Sequence, residues 1–189
     1  MLATNIFHGS LVRLTTEEPD TAGKALSRWA RDSEYTRMLD TPPGSLWSAR
    51  KIQSRIENDL EKDHLDFFFF EIRTLSEDRL IGFLDLFELS WVHGDTWLGI
   101  GLGEREYWGK GYGTDAVRVV LRYTFTELNL RRVTLGVFAY NERAIRSYEK
   151  AGFKVEGLLR QYVARDGQRN DVIVMGTLRD EWLQGISLA

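Results

Sequence analysis

Residues 97–116 read WLGIGLGEREYWGKGYGTDA, and in them a strand, a glycine-rich turn and the start of a helix follow one another. Side chains alternate along a strand, so the two faces of this one differ. One face carries the apolar side chains of Leu98, Ile100 and Leu102, and the other face, which we call the bare face, has only Gly99, Gly101 and Gly103. Glycines in a row within a strand indicate a bulge, or a close approach by another chain segment or a ligand. The stretch therefore predicts a strand edge that something else contacts closely.

The glycine turn at residues 109–113 predicts a phosphate site at the start of the following helix. The first amides of a helix lack intrahelical partners and lie at its positive end, and glycines let several amides point inward. The P-loop pattern fails, because residue 104 is Glu and Gly111 follows Lys110. Residues 111–116 match Gly-x-Gly-x-x-Ala, but polar residues separate them from the strand, and Arg131 and Arg132 occupy the region where a Rossmann unit has its acidic residue.

Composition narrows the class of protein. A chain of 189 residues with 43% hydrophobic content is sufficient for one domain with a sizeable core. A net charge of −3 argues against a nucleic-acid partner held by a strong positive field. The chain has no cysteine and three scattered histidines (His8, His64 and His93), so we expect neither a thiolate nucleophile nor a metal site. No signal-peptide pattern or membrane-length apolar run is present, and we expect a cytoplasmic protein without membrane contacts.

Hydrophobic periodicity predicts the order of helices and strands. The predicted elements are a strand at 11–15, helices at 22–39 and 48–62, a hairpin at 67–75 and 80–91, a strand at 96–102, the helix after the glycine turn, a strand at 132–138, a helix at 141–151 and a hairpin at 154–164 and 171–178. Hairpins pair antiparallel, whereas the strand–helix–strand unit over 96–138 requires a parallel crossover. We therefore expect a mixed sheet with helices on both faces.

A second informative segment, NERAIRSYEKAGF, covers residues 141–153. Asn141 is a good helix N-cap, and the helix ends at Gly152. Asn141, Ile145 and Tyr148 share one helix face, so Tyr148 can pack through its ring and present its hydroxyl to a site.

Together the two segments resemble the GNAT superfamily of N-acetyltransferases, and within it the RimJ/RimL-like branch. Residues 108–114 match its pyrophosphate loop, Arg/Gln-x-x-Gly-x-Gly/Ala, except that Trp108 stands at the Arg/Gln position, and residues 141–153 are similar to its later Asn, Tyr and Gly-Phe motif. The resemblance implies a single GNAT-like domain over residues 1–189 with an α+β fold. That fold is a mixed, mostly antiparallel sheet of about seven strands with helices on both faces.

The resemblance also implies an acetyl-CoA-dependent N-acetyltransferase that releases CoA after direct attack by an amine in a ternary complex. The strand amides would hold the pantetheine arm, which Asn141 would also contact, and the glycine turn would hold the pyrophosphate. Tyr148 would protonate the departing thiolate. The implied cofactor-binding residues are Gly101, Leu102, Gly103, Trp108, Gly109, Lys110, Gly111, Tyr112, Gly113, Thr114, Asn141, Ala144 and Tyr148.

The general base that the resemblance implies is absent from its usual position, because Trp97 stands where many relatives have a glutamate. Asp85 and Glu88 on the preceding strand are the alternatives, together with a water chain. Strand alternation places these two carboxylates on opposite faces, so at most one of them should serve, and Asp85 is the residue we assign.

By analogy the acceptor lies near the first two helices, where Trp29, Tyr35 and Trp47 supply aromatic surface. The sequence leaves open whether the acceptor is a protein N-terminus or a small amine such as a polyamine, and whether the chain forms a homodimer. Two other readings remain: a non-catalytic acyl-CoA-binding or sensory domain with the same cleft and, more distantly, an NAD-linked oxidoreductase.

Overall fold

The structure is a computed structural model that describes residues 5–60 and 66–187. Its strands are β1 (Val12–Thr15), β2 (Phe68–Thr74), β3 (Leu80–Ser90), β4 (Asp95–Leu102), β5 (Arg132–Phe138), β6 (Lys154–Arg165) and β7 (Gln168–Leu178). Its α-helices are α1 (Pro19–Trp29), α2 (Ser33–Leu39), α3 (Ala49–Leu60), α4 (Tyr112–Thr126), α5 (Glu142–Lys150) and α6 (Arg179–Ser187), and a short 3₁₀ helix covers Arg105–Tyr107.

The strands form one seven-stranded sheet in the order β1-β2-β3-β4-β5-β7-β6. Every neighbouring pair is antiparallel except β4 and β5, which run parallel and pair only from Asp95–Trp97 to Arg132–Thr134. Beyond Trp97 the two strands diverge, and their facing edges stay unpaired with each other. The prediction of a mostly antiparallel, seven-stranded mixed sheet is confirmed, and the divergence creates a wedge in its centre.

Helices cover both faces of the sheet, as the sequence predicts. On one face, Val117, Val120 and Phe125 of α4 are buried with Leu84 and Leu98 in the main core. On the opposite face, α1 and α2 bring Trp29 and Tyr35 into a second, smaller cluster against Phe83. Leu84 and Phe83 are adjacent, so strand alternation sends them to opposite cores.

The bare glycine face of β4 is a contact surface for the chain's own side chains. A Cβ on Gly99 would lie 2.0 Å from Asp85 Oδ1, and one on Gly101 would lie 2.6 Å from Leu39 Cδ1 and 2.9 Å from the Tyr35 hydroxyl. A Cβ on Gly103 would lie only 1.9 Å from the Trp29 indole. The close approach to β4 that the glycines predict is therefore present, and side chains of α1, α2 and β3 are the groups that approach.

Replacing Gly103 by Ala is expected to lower the free energy of unfolding by about 1–3 kcal/mol, because the added methyl group overlaps the buried Trp29 ring. Chemical denaturation measures the change. Gly157→Ala is the matched control, since no atom of the described residues lies within 4 Å of a Cβ there. Equal stability of the two variants would show that α1 moves aside without cost.

Several boundaries differ from the sequence-based expectation. The helix predicted over 22–39 is divided after Trp29, because the Asp32 side chain accepts hydrogen bonds from the amides of Glu34 and Tyr35 and so begins a new helix. Helix α6 was not predicted. The predicted end of the second helix at residue 62, and His64, lie outside the described residues.

Candidate active site

The wedge between β4 and β5 opens into a cleft of about 1240 Å³. Residues 98–102 of β4 border it on one side and residues 136–138 of β5 on the other, with the starts of α4 and α5 completing the walls. The cleft begins where the parallel pairing ends, at Trp97 and Thr134, and beyond that point no strand of the described residues fills the gap.

The glycine turn forms one end of the cleft. Gly109 and Gly111 have φ angles of +71° and +92°, a left-handed conformation that L side chains rarely adopt. Gly111 is the N-cap of α4 and supplies no side-chain cap. Within residues 5–60 and 66–187, no acceptor bonds to the amides of residues 109–114. These amides are therefore available to an anion at the positive end of α4.

The N-terminal segment holds the start of α4 in place. The Asp115 carboxylate, in the first turn, accepts hydrogen bonds from the amides of Leu11 and Val12 at 2.8 and 3.0 Å and from the Ser10 hydroxyl at 2.9 Å. This buried carboxylate therefore joins the start of β1 to the first turn of α4, directly after the glycine turn.

Helix α5 forms the facing wall. The Asn141 side chain caps it by accepting a hydrogen bond from the amide of Ala144, as predicted, and Ser147 and Thr114 join α5 to α4 through a 2.7 Å hydroxyl contact. Four basic side chains border the cleft near these helices: Arg118, Arg143, Arg146 and Lys150. This end of the cleft is suited to a polyanionic ligand.

Tyr148 lies on the inner face of α5 and is 9% exposed. Its ring packs against Phe153 with centroids 6.0 Å apart, and the residue borders the cleft. No partner in the described part of the chain is hydrogen-bonded to its hydroxyl. Burial raises the pKa of Tyr148 above its usual value, so the phenol keeps its proton at neutral pH.

Asp85 reaches the cleft from β3, where it pairs directly with Gly99 of β4. Its Oδ1 is buried and has no hydrogen-bond partner among the described residues. Burial raises the pKa of Asp85 to about 6, and the negative charge of Asp40 adds to the rise. At neutral pH the side chain is therefore a carboxylate that binds a proton readily.

Glu88 also borders the cleft, contrary to the expectation that strand alternation separates it from Asp85. Its φ is +51°, in a bulge where the pairing of β3 with β4 shifts register between Phe87 and Ser90. A bulge adds a residue to one strand and ends the simple alternation. Glu88 is exposed, whereas Asp85 is partly buried and its Oδ1 atom is fully buried.

The end of the cleft beside Asp85 is aromatic. Phe83, Phe87 and Trp97 border it, and the Phe87 and Trp97 rings stack with centroids 6.4 Å apart. The Tyr35 hydroxyl, from α2, is buried there without a hydrogen-bond partner in the described structure. Trp29 and Trp47 do not border the cleft: Trp29 is buried and donates to Glu104, and Trp47 lies under Lys51 and Arg55.

A family model described as the acetyltransferase (GNAT) domain matches residues 11–154. The chain is a GNAT acetyltransferase. It is 38% identical over 135 residues to the probable N-acetyltransferase YjcK of Bacillus subtilis, covering 70% of this chain and 72% of that protein. It is 31% identical over 163 residues to the spermidine N(1)-acetyltransferase of Escherichia coli K12, covering 80% of this chain and 83% of that protein.

Solved structures show the same fold. The crystal structure of spermidine N-acetyltransferase from Vibrio cholerae, in complex with CoA and spermine, superposes with a TM-score of 0.80 at 23% identity. The match covers 91% of this chain and 98% of the other. The GNAT fold expected from the two sequence motifs is thus confirmed.

The GNAT acetyltransferase uses acetyl-CoA, which supplies an acetyl thioester on a long polyanionic carrier, and its cleft fits that shape. Unbonded amides and basic side chains, which suit phosphates, border one end, and Tyr148 and Asp85 also border the cleft. Ten of the residues predicted to bind the cofactor border the cleft: Gly101, Leu102, Trp108, Gly109, Gly111, Gly113, Thr114, Asn141, Ala144 and Tyr148. Gly103, Lys110 and Tyr112 do not, and the individual contacts stay predictions.

Two kinds of feature have no candidate in the part of the chain that the structure describes. In the described residues, no three His, Asp or Glu side chains are grouped in a way that suits a metal ion. No helix in the same ranges is both long enough and apolar enough to cross a membrane.

Proposed function

We propose that this GNAT acetyltransferase transfers the acetyl group of acetyl-CoA to a primary amine by direct attack within a ternary complex. One observation carries the proposal: a proton acceptor and a proton donor, Asp85 and Tyr148, border one cleft from opposite sides of the diverging strands. Aminolysis of a thioester needs both functions, since the amine must lose a proton and the departing sulfur must gain one.

Asp85 is the proposed base. An amine enters as an ammonium ion, which must be deprotonated before it attacks. A partly desolvated carboxylate with a pKa near 6 attracts the ammonium and can accept its proton. Asp85 lies opposite Gly99, close to where β4 and β5 diverge, which places it at the inner end of the cleft.

Tyr148 is the proposed acid. Its hydroxyl has no competing partner in the described structure and is protonated at neutral pH, so it can donate its proton to the developing thiolate. Asn141 acts on it indirectly, because its side chain caps the helix that carries Tyr148 and fixes where that helix begins.

The charge distribution of the cleft supports a cationic acceptor. Three carboxylates, Asp40, Asp85 and Glu88, border the aromatic end, whereas the basic side chains that border the cleft come from α4 and α5. An ammonium group over Phe87 and Trp97 combines cation–π attraction with the nearby carboxylates. Tyr35, rather than Trp29 or Trp47, is the predicted aromatic residue in a position to contact the acceptor.

We favour a small amine as the acceptor, because relatives of 31% identity over 80% of the chain act on spermidine. The motif spacing resembles the RimJ/RimL branch, so a peptide N-terminus is the second candidate class.

An amine panel tests the proposal. The purified protein is mixed with acetyl-CoA and with spermidine, a monoamine, a peptide with a free N-terminus or the same peptide with a blocked N-terminus. Free thiol release and product mass are then measured. We expect thiol release with at least one free amine and none with the blocked peptide. Tight CoA binding without acetylation of any amine would instead favour the non-catalytic acyl-CoA-binding domain.

A further inference from the structure

Trp108 departs from the family loop motif, and its surroundings show what replaces the expected Arg or Gln. The indole Nε1 donates a 2.7 Å hydrogen bond to the carbonyl of Leu102, at the end of β4. An indole has a single N–H donor. Trp108 therefore has no donor left for a ligand at the position where the motif has an Arg or Gln side chain.

A guanidinium lies on the same indole ring. Arg143, in the first turn of α5, stacks over Trp108 with its Cζ 4.0 Å from the ring centroid. Arg105 approaches the ring at 5.2 Å, but it is bonded to Asp32 and Glu34. Arg143 makes no ion pair with any described carboxylate and borders the cleft.

The hydrogen bond and the stacking act together. The Leu102 contact fixes the plane of the indole, and a ring of fixed plane holds the guanidinium in one orientation. Trp108 directly precedes the turn whose amides are unbonded, so the stacked group lies beside the proposed phosphate site. A planar guanidinium can donate two parallel hydrogen bonds to phosphate oxygens.

We infer that Arg143, held on the Trp108 ring, binds the diphosphate of acetyl-CoA and replaces the Arg or Gln that the family motif has at position 108. The side-chain donor comes from α5 in this chain, and the tryptophan is its support. Trp108 is a positioning residue, and Arg143 contacts the cofactor.

Calorimetric titration of the Arg143→Gln variant tests the inference with three ligands: CoA, 3′-dephospho-CoA and pantetheine. The dissociation constant is expected to rise about tenfold for CoA and for 3′-dephospho-CoA, both of which contain the diphosphate, and to change less than about twofold for pantetheine. Arg160→Gln is the charge-matched control, because Arg160 is exposed on β6 and does not border the cleft.

Three results would overturn the inference. Unchanged CoA affinity would remove Arg143 from the site. A loss confined to CoA would assign Arg143 to the 3′-phosphate, and an equal loss for pantetheine would indicate distortion of α5. None of these outcomes depends on the acceptor amine, so they are distinct from a failure of the proposed reaction.

A double variant tests the replacement itself. Trp108→Arg in the Arg143→Gln background restores the motif and is expected to return the CoA dissociation constant to within about threefold of the wild-type value. A double variant that keeps its thermal transition but does not recover affinity would show that the two positions are not equivalent. If the double variant unfolds, the three-ligand titration of Arg143→Gln still decides whether Arg143 binds the diphosphate.

Discussion

Replacing Tyr148 by Phe is expected to lower kcat by about 10²-fold or more while leaving the dissociation constant for CoA within about twofold of the wild-type value. The substitution removes only the hydroxyl, and the ring keeps its contact with Phe153. Without a proton donor, sulfur must leave as a thiolate, which raises the barrier of the chemical step. Steady-state kinetics with a saturating amine, together with CoA titration, measures both quantities.

The matched control for this prediction is Tyr123→Phe. Tyr123 lies on α4 and packs against Phe68 and Phe70, outside the cleft. Loss of its hydroxyl should leave kcat unchanged. A Tyr148→Phe variant that keeps kcat within about threefold would mean that water or another group protonates the sulfur.

Replacing Asp85 by Asn is expected to have two opposite effects, and the first is on activity. Above pH 6 the wild-type side chain is a carboxylate that can accept a proton, and below pH 6 it is protonated. The value of kcat/KM should therefore rise with pH through about 6 in the wild type. In the variant it should fall about 10²-fold at neutral pH, and this limb of the profile should be lost.

The second effect is on stability. The pKa of Asp85 is raised from 3.8 to about 6 on folding, so the folded state binds the proton more tightly than the unfolded chain. The ionised group therefore costs stability, and the cost grows between about pH 4 and pH 6 and persists above. At pH 7 the Asn variant should be more stable by on the order of 1–3 kcal/mol, as measured by denaturant titration, with the gain vanishing near pH 4.

Glu88→Gln distinguishes the two carboxylates that border the cleft. Glu88 is exposed in the bulge of β3, so we expect its loss to change kcat/KM less than about threefold. Full activity in Asp85→Asn, with the loss appearing in Glu88→Gln, would transfer the base role to Glu88. If Asp85→Asn lost activity without gaining stability, the ionised Asp85 carboxylate would not destabilise the folded protein.

The local patterns of the sequence determined all seven strands, most of the helices and one end of the site. The Asp166-Gly167 turn predicted the last hairpin, and Asn141 predicted its own capping bond, because turns and caps depend on a few consecutive residues. The glycines of residues 109–113 likewise predicted a tight turn whose amides can point toward a phosphate. Strand alternation failed at Glu88, because a bulge depends on the partner strand as well as on the strand itself.

Contacts between distant segments were decided only by the tertiary structure. The glycine row of β4 indicates a close approach, but packing alone shows that Trp29, Tyr35 and Asp85 make it. The raised pKa of Asp85 results from burial by elements remote in sequence, and the contact between Arg143 and Trp108 joins α5 to the turn that precedes α4. Burial and side-chain proximity depend on how all the elements pack together, and a local sequence pattern does not predict that packing.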